Sequence, residues 1–454
     1  MQEPVAAPID ADHRLRRVIG PWGVGVNAVN STIGGGIFVL PGFIAALLGP
    51  AAIVCYLICG LVIALVLTCF AEIGSFVDRS GGPIAYIEEA FGPLAGFLAW
   101  ILYTIGCEAV SCAAIGNILV DMLAQIAPAL AHGVPRILAF FVLYAGLAAI
   151  NIRGIQQGVR LSVISTLAKL LPMFLLIAAG IFFMHWREFH WTGWPSATKL
   201  GEGSLLIFFA FQGPEEALCT SAEIRNPARA VPRGILGAIA ALILLYVAIQ
   251  TVCMGVLGSA LALDSTAPLA NAAAYMAGSP GRSLILIGAA ISIFGSIAAS
   301  VMAAPRSFFL MAEDGMLPRP LARVHPRFHT PYISIAVFAA ITFALSVTGA
   351  FRHLAILATA SILCVYLAIC LGALKLRYTR EKVPGAFRAP GGPTAAILGS
   401  AAILWLLTSC GRAEFIAVGG TLALGTLYFF IRRRMLLRQR PVFAPGYPML
   451  DEQP

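Results

Sequence analysis

The chain has 454 residues and a formal net charge of +9; 59% of its residues are hydrophobic and only 11% are charged. Soluble domains carry about 25% charged residues, so this composition excludes an ordinary soluble protein. One bilayer crossing needs roughly 20 apolar residues, so a chain of this length can cross about twelve times.

The basic residues and the cysteines narrow the class further. The basic residues form short clusters between apolar runs, which argues against nucleic-acid binding and for orientation in a membrane. Most cysteines lie inside apolar runs without metal-binding spacing, so we expect no metal site and no cofactor. Residues 1–17 are polar and lack the apolar core of a secretory signal, so we expect the first helix to be retained.

Twelve apolar runs follow one another, and each predicts a transmembrane helix. They lie near residues 20–48, 51–77, 94–126, 134–151, 159–184, 202–224, 233–258, 282–312, 331–349, 353–376, 393–410 and 413–431. Clusters of Arg and Lys precede run 1 and follow runs 6, 10 and 12, all on one side of the membrane. The positive-inside rule therefore places both termini in the cytoplasm, in a multi-pass protein of the cytoplasmic (inner) membrane.

The runs and the loops between them predict four parts in the chain. These are a cytoplasmic tail at 1–18, a ten-helix core at 19–382, two peripheral transmembrane helices at 383–434 and a cytoplasmic tail at 435–454. The boundary after the core is a Pro- and Gly-containing tract with basic residues, which is typical of a connection between separate units. The last two helices are therefore expected to be an appendage.

Two of the runs are interrupted in a similar way. Run 1 contains Ser31–Gly36, with three successive glycines, and each glycine costs about 1 kcal/mol relative to alanine in a helix. Run 6 contains Gln212–Glu216, where Pro214 removes a backbone donor beside two carboxylates. Because the two runs are five apart, two inverted repeats of five helices would each open with a broken helix.

Such breaks have two interpretations. Unsatisfied backbone groups are not tolerated in lipid, so a break persists where it faces protein, water or a ligand. Glycines also let helices approach closely, and the breaks would then be packing kinks. A packing role does not explain why matching positions of both halves are disrupted, so the pattern favours a binding site.

Four stretches of the sequence carry a family resemblance. They are STIGGGIFVLPG at 31–42, FAEIGSFVDRSGGPIAYIEEAFGP at 70–93, FFAFQGPEEALCTSAEIRNPARAVPRGI at 208–235 and PRSFFLMAEDGMLPRPLARVHPRFHTP at 305–331. From about Ile19 to Arg434 the chain resembles the amino acid-polyamine-organocation superfamily, and its bacterial amino acid permeases in particular. The resemblance implies an all-α LeuT-type fold, with ten core helices in inverted repeats at about 19–184 and 201–377 and two peripheral helices.

The resemblance also implies a function. It predicts a secondary active transporter that moves an amino acid by alternating access, either coupled to protons and independent of sodium or as an exchanger. Transport of a polyamine or another organic amine is the alternative. The expected partners are an amino acid or related amine, protons and membrane lipid, with no nucleic acid; homo-oligomerisation is left open.

The substrate site follows from matching positions in the two broken helices. The amides of Gly35 and Gly36 are expected to bind a substrate carboxylate, and carbonyls near Thr32, Phe209 and Gln212 to accept from its ammonium. The predicted binding segment of helix 1 consists of Thr32, Ile33, Gly34, Gly35 and Gly36. Some relatives have a hydroxyl residue at Gly35 and an aliphatic one at Gln212, so the substrate side chain is left open.

Phe209 and Lys169 match positions with moving or coupling roles. Phe209 corresponds to an aromatic residue that closes over substrate in similar transporters, and the alternative is a core aromatic.

Proton-coupled members of the family have a lysine at the position of Lys169 in run 5. Burial disfavours its charged form, so we expect proton exchange there; a fixed structural cation is the alternative. Its expected partners are carbonyls of the helix 1 break, with Ser296 or Ser300 of run 8.

Three acidic residues complete the candidate site. Glu215 matches an acidic position that senses protons or a cationic substrate group in some relatives; it could instead bind backbone donors of the break. Glu216 is expected to point away toward solvent or a neighbouring helix. Glu108 lies in the middle of run 3, where it would attract a basic substrate or form internal hydrogen bonds as a protonated acid.

Other function classes find less support in the sequence. The seven histidines lie mainly in loops, and there is no nucleophile elbow, phosphate-binding loop or metal cluster. We therefore expect no enzyme activity. A membrane-embedded enzyme, a nutrient receptor and an ion channel remain the rival classes.

Overall fold

The computed structural model describes residues 20–75, 82–154, 159–189, 193–218, 224–225, 227–263, 266–380, 387–389 and 391–439. The predicted tail at 1–18 and residues 440–454 of the other predicted tail lie outside the described residues. Almost all of the described chain is helical, as an apolar chain requires when its backbone polar groups must be paired without water.

The described residues of the first half of the chain form nine α-helices before the second break. They are α1 Pro21–Thr32, α2 Leu40–Leu48, α3 Ala52–Gly74, α4 Gly82–Phe91, α5 Pro93–Trp100, α6 Val110–Ala124, α7 Gly133–Ile152, α8 Val159–Phe183 and α9 Ala197–Phe208. A π-helical segment, Ile101–Ala109, joins α5 to α6.

The second half contains longer helices. They are α10 Pro227–Leu257, α11 Pro268–Glu313, α12 Tyr332–Thr348, α13 Phe351–Thr379, α14 Thr394–Thr408 and α15 Arg412–Gln439. Helix α11 is interrupted by non-helical dihedral angles at Ala277 and Gly278.

The helices identify a multi-pass membrane protein. Seven stretches of the described chain are long and apolar enough to span: Leu40–Gly74, Pro93–Ala124, Gly133–Ile152, Arg229–Leu263, Pro268–Glu313, Phe351–Thr379 and Arg412–Leu436. Lys169–Phe183, Tyr332–Thr348 and Thr394–Thr408 are apolar but shorter. The helical membrane protein expected from hydropathy is therefore confirmed.

Both predicted breaks are visible in the backbone. Helix α1 ends at Thr32, a short 3₁₀ turn spans Gly36–Phe38, and α2 starts at Leu40 with a proline in its first turn. Proline is favoured there because its missing N–H has no partner in a first turn. A break divides this run into pieces shorter than the roughly 20 residues that one crossing needs.

The second break follows α9. After a 3₁₀ turn at Phe209–Phe211 the chain is extended at Gln212, and Gly213 has a φ of 107°. Only glycine adopts this backbone conformation readily. A Cβ at Gly213 would also lie 2.9 Å from the Ser31 carbonyl oxygen, so the two breaks are in direct contact.

Helix α1 is held in the bundle by close packing against α10. A Cβ at Gly25 would lie 3.0 Å from the Gly234 carbonyl oxygen, and one at Gly234 would lie 2.5 Å from the Pro21 carbonyl oxygen. Small residues allow this approach and the van der Waals contact that it brings. The first half of the broken helix therefore rests on a continuous helix.

Each of the two final helices packs directly on the bundle, and α15 does so against α5, α13 and the π-helical segment. Helix α14 packs on α3 and α13, and Glu72 at the end of α3 is nearly fully buried beneath the connection that precedes α14. Its carboxylate accepts from Arg377 Nη1 over 3.3 Å and from the Ala389 amide over 3.1 Å. The ion pair therefore joins α3 to α13, and the Ala389 amide ties the connection before α14 to the same carboxylate.

The close α1–α10 crossing can be tested with two glycines of α10. Gly234→Ala should lower the free energy of unfolding by about 1–3 kcal/mol, because the added methyl group overpacks the crossing. Gly237→Ala is the matched control, since its Cβ would meet no described atom within 4 Å. Thermal melting of the detergent-purified variants measures both, and equal melting temperatures for the two would contradict the packing.

Candidate functional site

A polar cavity of about 110 Å³ lies where the two breaks meet. The α1 break, the π-helical segment, the α9 break and α11 all contribute to its wall. The predicted site residues that line it are Thr32, Gly34, Gly35, Gly36, Glu108, Phe209, Gln212, Glu215, Ser296 and Ser300. Ile33 and Lys169, also predicted, do not.

The glycine triplet presents free backbone donors at this cavity. The amides of Gly34, Gly35 and Gly36 have no hydrogen-bond partner in the described part of the chain. A Cβ at Gly35 would lie 2.9 Å from Ile293 Cγ1, and one at Gly36 would lie 3.0 Å from Phe209 Cδ1. The glycines therefore allow α11 and an aromatic ring to pack against a segment whose amides can bind an anion.

Acceptors lie close to these donors. The Thr32 carbonyl oxygen follows the last turn of α1 and accepts no hydrogen bond from a described residue. The Gln212 side chain is held in place: Nε2 donates to Thr359 Oγ1 over 2.9 Å, and Oε1 lies 3.4 Å from both Cys107 Sγ and Ser111 Oγ. Donors and acceptors for a zwitterion thus share one small cavity.

Lys169 lies behind the broken helix rather than in the cavity. Its Nζ donates to the carbonyl oxygens of Asn30 and Ile33 over 2.8 and 3.0 Å, and its side chain is buried. The sequence-based expectation of a second partner on α11 is wrong for the described residues, since no hydrogen bond joins Lys169 to Ser296 or Ser300. Ser296 Oγ instead donates to the Ser292 carbonyl oxygen over 3.1 Å.

Ile33 was predicted to bind substrate and has a different place. Its side chain is fully buried in the apolar core, because its backbone is extended, with a ψ of 94°, immediately after α1. Its carbonyl oxygen accepts from Lys169 over 3.0 Å. Ile33 therefore contacts the cationic side chain behind the break rather than the cavity.

Glu215 is buried and held by hydrogen bonds. Its Oε2 accepts from the Tyr366 hydroxyl over 2.6 Å and from the Gly213 amide over 3.2 Å. Two donors to one carboxylate oxygen stabilise the carboxylate without water. The bond from Tyr366 joins the α9 break to α13. The bond from the Gly213 amide is the one expected if Glu215 has a structural role in the break.

Glu216 was expected to point away toward solvent or a neighbouring helix; it is exposed, and it also lines the cavity. Residues Pro214–Leu218 form a 3₁₀ turn, in which successive side chains are about 120° apart, and Glu216 lines the cavity beside Glu215. Glu108 reaches it from the π-helical segment. The carboxylates of Glu108 and Glu216 have no hydrogen-bond partner among the described residues.

Phe209 separates this cavity from a second one. Its ring packs edge-on against Phe351, with 5.7 Å between centroids, and Phe351 contacts Phe43 at 5.6 Å. Phe43 and Phe351 line a neighbouring cavity of about 250 Å³. Phe209 therefore lies between the two cavities, where a gating residue would be expected. Its ring is also packed against Phe351, as a core aromatic would be.

Sequence reasoning missed the contribution of α13. Thr359 and Tyr366 bind the two halves of the α9 break, through Gln212 and Glu215. Both lie inside a long apolar run without a break, so nothing in the hydropathy singled them out. Their spacing of seven residues, which places two hydroxyls on one helix face, was the available signal.

These features define the class of the protein. It is a multi-pass membrane protein with a polar cavity between two interrupted helices, which is the arrangement of a solute transporter. The profile of the amino acid permease family matches residues 19–429. The chain belongs to this family, and the resemblance noted in its sequence is confirmed.

Characterised relatives cover almost the whole chain. The methylthioribose transporter of Bacillus subtilis is 28% identical over 92% of this chain and 94% of its own. A branched-chain amino acid permease of the same organism is 25% identical over 96% of both chains. Its serine/threonine exchanger is 27% identical over 93% of this chain and 98% of its own. These relatives are transporters rather than enzymes.

The tie between the α9 break and α13 can be tested at Tyr366. Tyr366→Phe should lower the free energy of unfolding by about 1.5–3 kcal/mol, because the buried Glu215 carboxylate loses its closest donor. Tyr428→Phe is the control, since that hydroxyl donates to a neutral acceptor, the Met316 carbonyl oxygen, over 2.9 Å. Thermal melting in detergent compares them; a Tyr366→Phe protein as stable as the control would exclude the tie.

Proposed function

We propose that the protein is a secondary active transporter that moves an amino acid across the cytoplasmic membrane by alternating access. The observation that carries this proposal is the cavity lined by Gly34–Gly36 and Thr32, whose amides and carbonyl oxygen, respectively, have no hydrogen-bond partner among the described residues. An α-amino acid presents a carboxylate and an ammonium to such a pair. Two relatives bear names of amino acid transporters, which supports this substrate class.

The proposed topology has twelve crossings with both termini in the cytoplasm. The first crossing consists of α1 and α2, and the sixth consists of α9 with the turns that follow it. The core at 19–382 then forms two inverted repeats, and α14 and α15 are the peripheral helices. Contact between the two breaks supports this arrangement, because inverted repeats place their broken helices together near the middle of the bilayer.

The alternative substrate is an organic amine without a carboxylate. The specific observation in its favour is that Glu108 and Glu216 line the cavity without hydrogen-bond partners among the described residues, so an additional positive charge would find acceptors there. The free glycine amides favour the amino acid, because an amine would leave them without an anion.

Ligand-induced stabilisation separates these two substrates. Purified protein is melted with amino acids and with the amines made by removing their carboxylates: leucine with isopentylamine, serine with ethanolamine and lysine with cadaverine. At about 100 times the Kd, binding adds about 2.7 kcal/mol to the free energy of unfolding. We expect at least one amino acid, but not its amine, to raise the melting temperature; stabilisation by amines alone would favour the alternative.

Lys169 is the proposed coupling residue. Its ammonium donates to two carbonyls at the end of α1, so loss of its proton would weaken the support of the broken helix. Such a side chain can make the position of helix 1 depend on protonation. This scheme needs no bound sodium ion. The Lys169 ammonium could act in the same way in an exchanger.

Proteoliposome uptake tests the role of Lys169. In the wild type we expect uptake to increase when the outside is acidified and to be unchanged when sodium is replaced by choline. Lys169→Met should abolish uptake or remove its dependence on pH, because methionine cannot donate a proton. Lys199→Met changes an exposed lysine at the start of α9 and should behave like the wild type.

The same assay contains the outcome that would remove Lys169 from the mechanism. If Lys169→Met retains both its uptake and its pH dependence, the lysine is a structural cation only. Melting the variant in the presence of substrate separates a folded but uncoupled protein from an unfolded one.

A further inference from the structure

A large apolar groove opens on the surface of the bundle, away from the substrate cavity. Its volume is about 800 Å³, within the range that holds a drug-sized organic molecule. Helix α6 forms its floor through Leu119 and Leu123, and α7 and α11 form its walls. Exposed side chains such as Val142 and Ile291 line its edges, so the groove faces the hydrocarbon of the bilayer.

The groove runs along most of one helix. It extends on α7 from Pro135 to Ile150, a rise of about 22 Å at 1.5 Å per residue. One leaflet contributes about half of a hydrocarbon core that is roughly 30 Å thick. Gly146 leaves a gap in the wall, since a Cβ there would meet no described atom within 4 Å. The feature is therefore a long, open groove that follows α7.

A cationic side chain lies near the end of the groove that begins at Pro135. Arg282 of α11 is exposed and donates to Gln125 Oε1, just beyond the end of α6, over 2.6 Å. That bond uses one of its five N–H donors, and no other contact to the guanidinium is found among the described residues. Arg136 lies nearby on α7, but it is already paired with Asp121 at 2.6 Å.

We propose that this groove binds one anionic phospholipid, with its phosphate on Arg282 and one acyl chain along α6 between α7 and α11. Guanidinium groups bind phosphate through parallel charge-assisted hydrogen bonds, and burial of an acyl chain requires no polar partner. A symmetric pair of chains that used this face would bring a guanidinium from each copy to the same interface. Charge therefore favours a phospholipid over a second copy of the chain.

Native mass spectrometry of detergent-purified protein tests the proposal. The protein is titrated with phosphatidylglycerol or phosphatidylcholine that carry identical acyl chains. In the wild type we expect one tightly retained lipid with a preference for phosphatidylglycerol. Arg282→Gln should reduce that preference about tenfold, because the charge-assisted contact to phosphate is lost. Gly146→Leu should abolish retention of either lipid by filling the groove.

Gly420→Leu is the matched control for Gly146→Leu. Gly420 is exposed on α15 and its Cβ would also meet no described atom within 4 Å, so this variant adds the same side chain elsewhere on the apolar surface. It should retain the lipid, and all three variants should melt close to the wild type.

Three results would overturn the proposal. The first is a wild type that retains no lipid, and the second is equal retention by Gly146→Leu and Gly420→Leu. The third is a wild-type dimer that becomes monomeric in Gly146→Leu, which would assign the groove to a second copy of the chain. Substrate uptake is not used as a readout, so failure of the transport proposal leaves this test intact.

Discussion

The need to pair every backbone polar group inside a hydrocarbon core is the constraint on which the rest of this structure depends. A break in α1 leaves carbonyls and amides without helical partners, and lipid offers none. Lys169 satisfies the carbonyls of Asn30 and Ile33, whereas the amides of Gly34–Gly36 find no partner in the part of the chain that the structure describes. The buried cation and the unpaired amides are therefore two consequences of the same break.

The second break is satisfied from a different helix. Tyr366 binds Glu215, and Thr359 binds Gln212, so α13 supports the segment that follows α9. Lys169 of α8 supports α1 in the corresponding way. The α1 break is thus held by one polar side chain of α8, and the α9 break by two polar side chains of α13. The cavity lies between the two broken helices.

Sequence reasoning located the breaks because glycine triplets and Gly-Pro pairs oppose helices for local reasons. The family resemblance, rather than hydropathy, placed Lys169 near the helix 1 carbonyls, to which it donates. Sequence reasoning missed Thr359, Tyr366 and the cavity contact of Glu216, and it misplaced Ile33. Those positions depend on where a helix from a distant part of the chain packs, and on whether a short turn is α or 3₁₀. Hydropathy contains neither kind of information.

The contact between the breaks limits how the bundle can move. The Ser31 hydroxyl lies 2.9 Å from the Gly213 carbonyl oxygen, and no Cβ fits at Gly213 beside the Ser31 carbonyl. Relative sliding of the two broken segments would separate these groups and expose further unpaired backbone. In the proposed transport cycle, helices α1 and α9 would therefore move as a unit against α8 and α13. The hydrogen bonds from Lys169 and Tyr366 would then lie at the boundary between the moving and the stationary helices, where a change in protonation would have the greatest effect on that motion.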